Sequence, residues 1–595
     1  MTRMPAVWPR VRIVSATLGV VMSLGGIVAV AGCTVGSTSD SGGEIGLPTA
    51  GASPSAARPT QAAATPAAFD VQAENRRPGA NCGLKRLGYD HAVEGWLSRV
   101  SLTPGQPVTL YASTTARQLT VSVFRIGWYG GHGCRLVTQR GPLPGVAQPA
   151  ATRVHTNPGG GTVNTVSTIP STGTGTGSAS ADATADATAT ATASADATAT
   201  ATATATSTAD ATGAAPGTAS SWQPTTTLDT STWPPGDYLF RLDDSDGFQS
   251  YVPLTVRGPD ARGKIVVLNA VTTWQAYNAW GGYSLYHGLS GYADRARIVS
   301  FDRPYDYGDG AADFTGNEAP LVTLAEKLGL DLDYATDVDL HADPTLLDGA
   351  RAVISLGHDE YYSVAMRRAL ETARDAGTNL AFLGANAVYR RIRLGPSPIG
   401  PDRLETAYKD PGEDPLDGVN NAQITANWPS PPMAEPESSL TGGMYQCNPV
   451  HADLIVRLPD HWLLRGTGAA AGTAMPGMIG SEYDRVDLAY PTPRDIEVLA
   501  HSPVTCHGRA DHSDVSYYTA TSGAGVFDAG TSAWICALND VCGPGATGPG
   551  LRSFVTTVTT TMLRAFAFGP AGQAHPAARS VPPDDAYTSA GVPEP

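Results

Sequence analysis

The segment Gly357-His358-Asp359-Glu360-Tyr361-Tyr362-Ser363 sets three side chains that titrate near or below neutrality in consecutive positions. His358 and Glu360 are two residues apart, so an extended backbone turns both to one side. An imidazole and a carboxylate on one side are the materials of acid–base chemistry. A His-Asp-Glu triplet is not by itself a metal motif, however. A structural role fits the spacing too, with Asp359 or Glu360 favouring a helix dipole and His358 packed on a sheet. The apolar run 350–356 predicts a buried strand ahead of the segment. Behind it, Ser363 reads as the cap of a helix carrying Val364, Ala365, Ala369 and Ala373 and stopped by Gly377. Ligands of open α/β sheets bind at the carboxyl ends of strands, which is where this segment falls.

Composition frames the elements that must hold it. The 595 residues are 42% hydrophobic but only 16% charged, with 66 Gly and 46 Pro. That profile fits loop-rich β structure with low-complexity filler and excludes a coiled coil. A net charge of −16 repels phosphate backbones and argues against nucleic-acid binding. A polytopic membrane protein is excluded, because only the first 33 residues contain a long apolar run. Arg3, Arg10 and Arg12 precede an apolar stretch ending in Val30-Ala31-Gly32-Cys33. The tetrapeptide resembles a bacterial lipobox, which would make 1–33 a lipoprotein signal peptide and Cys33 the lipidated residue. An ordinary signal peptide or an uncleaved anchor helix is the alternative. The expected location is the extracytoplasmic face of the bacterial cell membrane, with 34–89 as a flexible tether. Six further cysteines form an even set, as exported chains favour. Cys536 with Cys542 is the plausible close pair and Cys447 with Cys506 a second. No Cys-x-x-Cys spacing supports zinc.

The expected architecture is multidomain, β followed by α/β. Residues 90–258 alternate with period two between turns and predict an antiparallel sandwich of immunoglobulin type. An Ala-Thr tract at about 172–220 has no large apolar residue to bury and reads as a disordered insertion. Residues 259–570 predict an open, doubly wound α/β sheet with apolar strands near 265–269, 297–301, 350–356 and 379–383. Within it, 395–466 is rich in Pro, Asn and Asp and reads as a long insertion. Residues 571–595 read as a disordered tail.

Several long motifs carry a resemblance. Besides the 357–363 segment, they are Thr273-Trp-Gln-Ala-Tyr-Asn-Ala-Trp-Gly-Gly-Tyr-Ser-Leu-Tyr and Arg374-Asp-Ala-Gly-Thr-Asn-Leu-Ala-Phe-Leu-Gly-Ala-Asn-Ala-Val-Tyr-Arg. Phe124-Arg-Ile-Gly-Trp-Tyr-Gly-Gly and Gly523-Ala-Gly-Val-Phe-Asp-Ala-Gly-Thr-Ser-Ala-Trp complete the set. Together they resemble the large (beta) subunit family of N,N-dimethylformamidase. The resemblance implies an amidase acting on linear amides, built from an immunoglobulin-like domain and a domain like class I glutamine amidotransferases. It also implies a mononuclear Fe3+ site of two tyrosines and a glutamate with a histidine nearby. Carried over, these are Glu360, Tyr277 and Tyr238 as ligands and His358 as general base or orienting residue. Trp274, Asn278 and Asn386 are the expected substrate contacts, and Trp280 and Tyr283 could also shape the pocket. With Tyr238 in the sandwich, the pocket is expected at the domain interface. The family's enzyme works with a small partner subunit, so a separate subunit or a homo-oligomer is the implied assembly.

The amidotransferase likeness also calls for a Cys or Ser nucleophile at a strand-to-helix elbow. The candidate elbow here, Gly384-Ala-Asn-Ala-Val-Tyr, has neither, which disfavours triad chemistry. Two functions therefore stand. One is a surface-tethered, iron-dependent hydrolase of a formamide-like C–N bond. The other is a cell-envelope binding protein that keeps the fold without catalysis.

Overall fold

The computed structural model describes residues 69–88, 91–156, 162–168, 221–540, 542 and 548–582. The signal segment with Cys33, most of the expected tether, the Ala-Thr tract and the last thirteen residues lie outside them. The described residues form a mixed α/β structure of several sheets and few helices.

Two sheets share the first core. One orders β1 (Val93–Leu97), β3 (Val108–Thr114) and β8 (Thr226–Leu228). The other orders β2 (Ser101–Leu102), β10 (Gln249–Val256), β9 (Gly236–Asp244), β4 (Gln118–Ile126) and β5 (Cys134–Pro144). A separate ribbon pairs β6 (Thr152–Thr156) with β7 (Thr162–Thr168). Alternation decides what faces inward: Val108, Leu110 and Ala112 of β3 meet Val121 and Val123 of β4 and Phe240 and Leu242 of β9. The expected hairpin of β9 and β10 is present, in antiparallel register from Gln249↔Asp243 to Val256↔Gly236.

The site is carried by a seven-stranded sheet. Its order is β13 (Leu332–Thr336), β11 (Ile265–Asn269), β14 (Ala352–Leu356), β16 (Asn379–Leu383), β23 (Gly525–Asp528), β22 (Arg509–Thr519) and β21 (Ile496–Cys506). The first five run parallel, β22 runs against them, and β21 pairs antiparallel with β22. Every residue of β11, β14 and β16 is buried, which explains their unbroken apolar runs. In chain order the parallel strands stand 2-1-3-4-5. The direction of winding therefore reverses between β11 and β14, the place where sheets of this kind take their ligands. Helix α5 (Val364–Asp375) is capped by Ser363, whose Oγ accepts the Met366 N–H at 3.2 Å, and it buries Met366, Ala369, Leu370 and Ala373.

The remaining helices are α1 (Val71–Asn75), α2 (Val271–Tyr277), α3 (Ala319–Lys327), α4 (Asp337–Ala342), α6 (Ser438–Thr441) and α7 (Pro549–Phe568). No described helix is long and apolar enough to cross a membrane. A buried ion pair ties the two parts together. Arg125 of β4 meets Glu326 of α3 at 2.6 Å, and Asn75 of α1 donates to the same carboxylate at 2.8 Å.

Four expectations change. The run at 297–301 gives β12 (Ile298–Ser300), but β12 is not in the parallel sheet. It pairs antiparallel with β18 (Gly400–Thr406), in a sheet ordered β12-β18-β17-β15 with β17 (Arg390–Ser397) and β15 (Tyr361–Ser363). The parallel neighbour of β11 is instead β13, whose polar Asp333 is held by the Tyr334 N–H at 2.8 Å. The 395–466 stretch is not simply looped out, since it supplies β18 and β19 (Met444–Ile455), the latter paired with β20 (Ala474–Arg485). Residues 69–88, grouped above with the tether, carry α1, and Cys82 bridges to Cys134, so the compact unit reaches back to Phe69. Residues 571–582, grouped with the tail, also pack on the body: Ser580 lies on β21 and accepts the Val498 N–H at 2.8 Å. The bridges Cys447–Cys506 and Cys536–Cys542 match the expected pairs.

Candidate active site

Glu360 lies between β14 and β15, beyond the carboxyl end of β14 and at the point where the winding reverses. Gly357 opens the loop with φ +57, and a Cβ there would stand 2.7 Å from the Asn317 carbonyl oxygen, so only glycine fits. Thr273 of α2 fixes the rest: its Oγ1 accepts the N–H of Glu360 at 2.9 Å and of Tyr361 at 3.3 Å. From the other side the Glu360 carbonyl takes the N–H groups of Tyr389 at 3.0 Å and Arg390 at 2.8 Å, just beyond the β16 turn. The carboxylate is thereby aimed from three strand ends at once.

Two tyrosines converge on it. Tyr277, the last residue of α2, donates to Glu360 Oε2 at 2.8 Å. Tyr286 lies 2.9 Å and 3.0 Å from Oε1 and Oε2, and the two phenol oxygens are 3.0 Å apart. The loop that delivers Tyr286 folds back on α2, with the Leu285 N–H on the Ala276 carbonyl at 2.9 Å, and stacks the two rings at 4.4 Å. Two hydroxyl protons thus serve a cluster with more short oxygen contacts than protons.

The charge around Glu360 is balanced by cations. Burial pushes its pKa up, but the neighbouring His358, Arg390 and Lys409 outweigh it and hold the acid at about 2. Arg390 Nε is 3.1 Å from Oε1, placed by the register Tyr361↔Arg390. Lys409 Nζ sits 2.9 Å over the Tyr286 ring, and burial, with Arg390 nearby, lowers its pKa well below the ordinary value. Burial and the Glu360 charge raise both Tyr277 and Tyr286 well above 10.

His358 stands between two carboxylates, with Nε2 3.1 Å from Glu482 Oε2 and 3.4 Å from Glu360 Oε2. Burial pulls its pKa down, yet Glu482 and Glu360 more than offset this and raise it well above 6.5. Two facing carboxylates thus favour the protonated form of the imidazole. Neither Nε2 nor the facing Glu482 oxygen has an aligned hydrogen bond, and Tyr361 Oη is likewise unbonded. The first two face each other as an ion pair, and the Tyr361 hydroxyl is a buried polar group without a hydrogen-bond partner.

The structure brings together His358, Glu360 and Tyr277 but not Tyr238. Tyr238 faces the sandwich core, donates to the Pro234 carbonyl at 2.6 Å and stacks on Trp233. The second phenol on Glu360 is Tyr286. A cavity at the interface, lined by Tyr238, Asp237 and Trp274, has about 30 Å³, room for a water or two and not for an amide with its hydration. Trp274 is spent on structure, its Nε1 donating to Glu318 at 2.8 Å. Asn278 is too, since it donates to the Pro304 carbonyl and accepts the N–H groups of Trp280 and Asp306. Asn386 holds the left-handed turn at φ +64 that the Gly384 elbow needs, and its buried Oδ1 is unbonded. Tyr286 and Arg390 were within reach of the sequence, each closing a motif quoted above. Glu482 on β20 was not, because nothing in its local pattern marks it.

Residues 178–547, well over half of the chain, match the family model described as N,N-dimethylformamidase beta subunit-like, C-terminal. No curated protein matches the chain.

Proposed function

Since the chain belongs to the N,N-dimethylformamidase beta subunit-like family, whose name carries an amidase activity, we propose that it hydrolyses the C–N bond of a small, formamide-like amide at the Glu360 site. The observation that carries this reading is the convergence of Tyr277, Tyr286 and Glu360 oxygens within 2.8–3.0 Å. Oxygen ligands at right angles about 2.0–2.1 Å from one small cation stand about 2.9 Å apart. Phenolate and carboxylate are hard donors, suited to ferric iron, and the buried Tyr361 hydroxyl beside them has no hydrogen-bond partner. Tyr277, Tyr286 and Glu360 would hold the ion, which supplies Lewis-acid polarisation of an amide carbonyl.

The chain's own groups do the rest. Arg390 fixes the Glu360 carboxylate in place. Water forms the new C–O bond at the amide carbon and releases its proton to solvent. His358 gives its Nε2 proton to the amine nitrogen as the C–N bond breaks, and is reprotonated from solvent. Glu482 orients the imidazole and stabilises its charged form, as a carboxylate partner does. Amine release from a panel of N-substituted formamides tests this. Iron-loaded wild-type protein should turn over repeatedly and Glu360→Gln should not. Absence of amine from every member would overturn the substrate class.

The two-sheet part and the 2-1-3-4-5 sheet support an immunoglobulin-like domain followed by a doubly wound, amidotransferase-like one. We further propose attachment to the extracytoplasmic face through lipidated Cys33, and, because the family is named for a beta subunit, assembly with a separate smaller subunit.

A further inference from the structure

A second cluster lies on the β21–β22 hairpin. His501 and Asp514 are directly opposed in the antiparallel register, and His512, two residues before Asp514, points to the same face. Asp514 spreads its two oxygens between the rings, with Oδ1 2.7 Å from His501 Nδ1 and Oδ2 3.5 Å from His512 Nε2. The two rings are 4.6 Å apart, and one ligand atom from each of the three residues falls within 4.8 Å of the others.

We propose that His501, His512 and Asp514 form a metal site, distinct from the Glu360 centre, for a divalent ion of the borderline class such as zinc. Two imidazoles and one carboxylate are the donor set such ions take. Ligand atoms about 2.0–2.1 Å from a tetrahedral ion stand roughly 3.4 Å apart, close to the His512–Asp514 separation. The surroundings orient the ligands. The Asp511 carboxylate stands 3.6 Å from His512 Nδ1, on the far side of the ring from Asp514, so Nε2 is the nitrogen turned toward the site. Asp511 is itself held by Arg485 at 2.7 Å, and Asp514 Oδ2 also takes the Val486 N–H at 2.9 Å. Asp514 and His512 are buried while the His501 side chain is 22% exposed, which leaves one open side for entry and for a fourth, water ligand. The ion would clamp the outer hairpin of the sheet.

Cobalt(II) titration of the full chain carrying Glu360→Gln separates this site from the other one. One equivalent should bind, with the visible bands of an imidazole-ligated ion, and zinc should displace it. His501→Gln, at the half-open position, should weaken binding at least about tenfold, while its amide can still donate to Asp514 and the metal-free chain still melts cooperatively. His512→Gln should weaken it similarly. No cobalt bound by the Glu360→Gln chain, or equal affinity in His501→Gln, would overturn the assignment.

Discussion

Thr273→Val isolates the positioning of Glu360 from its chemistry. The side chain is fully buried and Val has nearly the same shape, so packing changes little. What disappears is the acceptor for two buried N–H groups, those of Glu360 at 2.9 Å and Tyr361 at 3.3 Å. Orphaning a buried donor costs about 1–3 kcal/mol, and the longer bond counts for less, so the expected loss is about 2–4 kcal/mol. A unit of roughly 500 residues has an unfolding entropy near 1 kcal/mol per degree at its midpoint. Calorimetry should then show the melting temperature falling by about 2–4 °C. Turnover should fall further than stability, because a misplacement on the order of 1 Å costs roughly 10²-fold. Thr273→Ser keeps the hydroxyl and should recover most of both. Wild-type turnover in Thr273→Val, or a Ser variant as impaired as the Val one, refutes the claim that this hydroxyl aims the carboxylate.

Glu482→Gln and His358→Ala should each lower amide turnover by roughly 10²–10⁴-fold while elemental analysis finds most of the iron retained. Asp237→Asn should flatten the pH dependence of stability. Burial raises the Asp237 pKa from 3.8 to about 7, so its contribution is full below about pH 4 and lost as pH rises to about 7. Thermal melts of wild type and variant should therefore diverge in the variant's favour between pH 5 and 7, and parallel curves would count against it. Cys33→Ala should shift the protein from the membrane fraction to a soluble or unprocessed form, and unchanged attachment with normal processing would refute lipidation there.

Much of the scaffold was legible because β11, β14 and β16 are buried on both faces and read as apolar runs, while Ser363 and Gly377 bracket α5 with capping chemistry. β13 was not legible, since its Asp333 and Thr336 are satisfied by local hydrogen bonds that no hydrophobic pattern reports. The same division runs through the site. Glu360 and His358 sit at a strand end that periodicity locates. Tyr286 arrives on an irregular loop tied to α2 by the Leu285–Ala276 backbone bond and to itself through Ser284. Glu482 reaches the site from β20, 122 positions along the chain from Glu360 by the numbering, through tertiary packing alone. Tyr238 misled because a tyrosine in a strand gives the same local signal whether its hydroxyl meets an ion or, as here, the Pro234 carbonyl.

The central claim is that Glu360 gathers Tyr277 and Tyr286, and not Tyr238, around one hard cation. Iron content and the visible phenolate-to-ferric absorption, measured side by side on wild type, Tyr286→Phe and Tyr238→Phe, test it most directly. The account predicts one iron per chain and a coloured wild type, loss of both in Tyr286→Phe, and retention of both in Tyr238→Phe. Iron-free wild-type protein expressed with ample iron, or loss of metal in Tyr238→Phe with Tyr286→Phe intact, would contradict it.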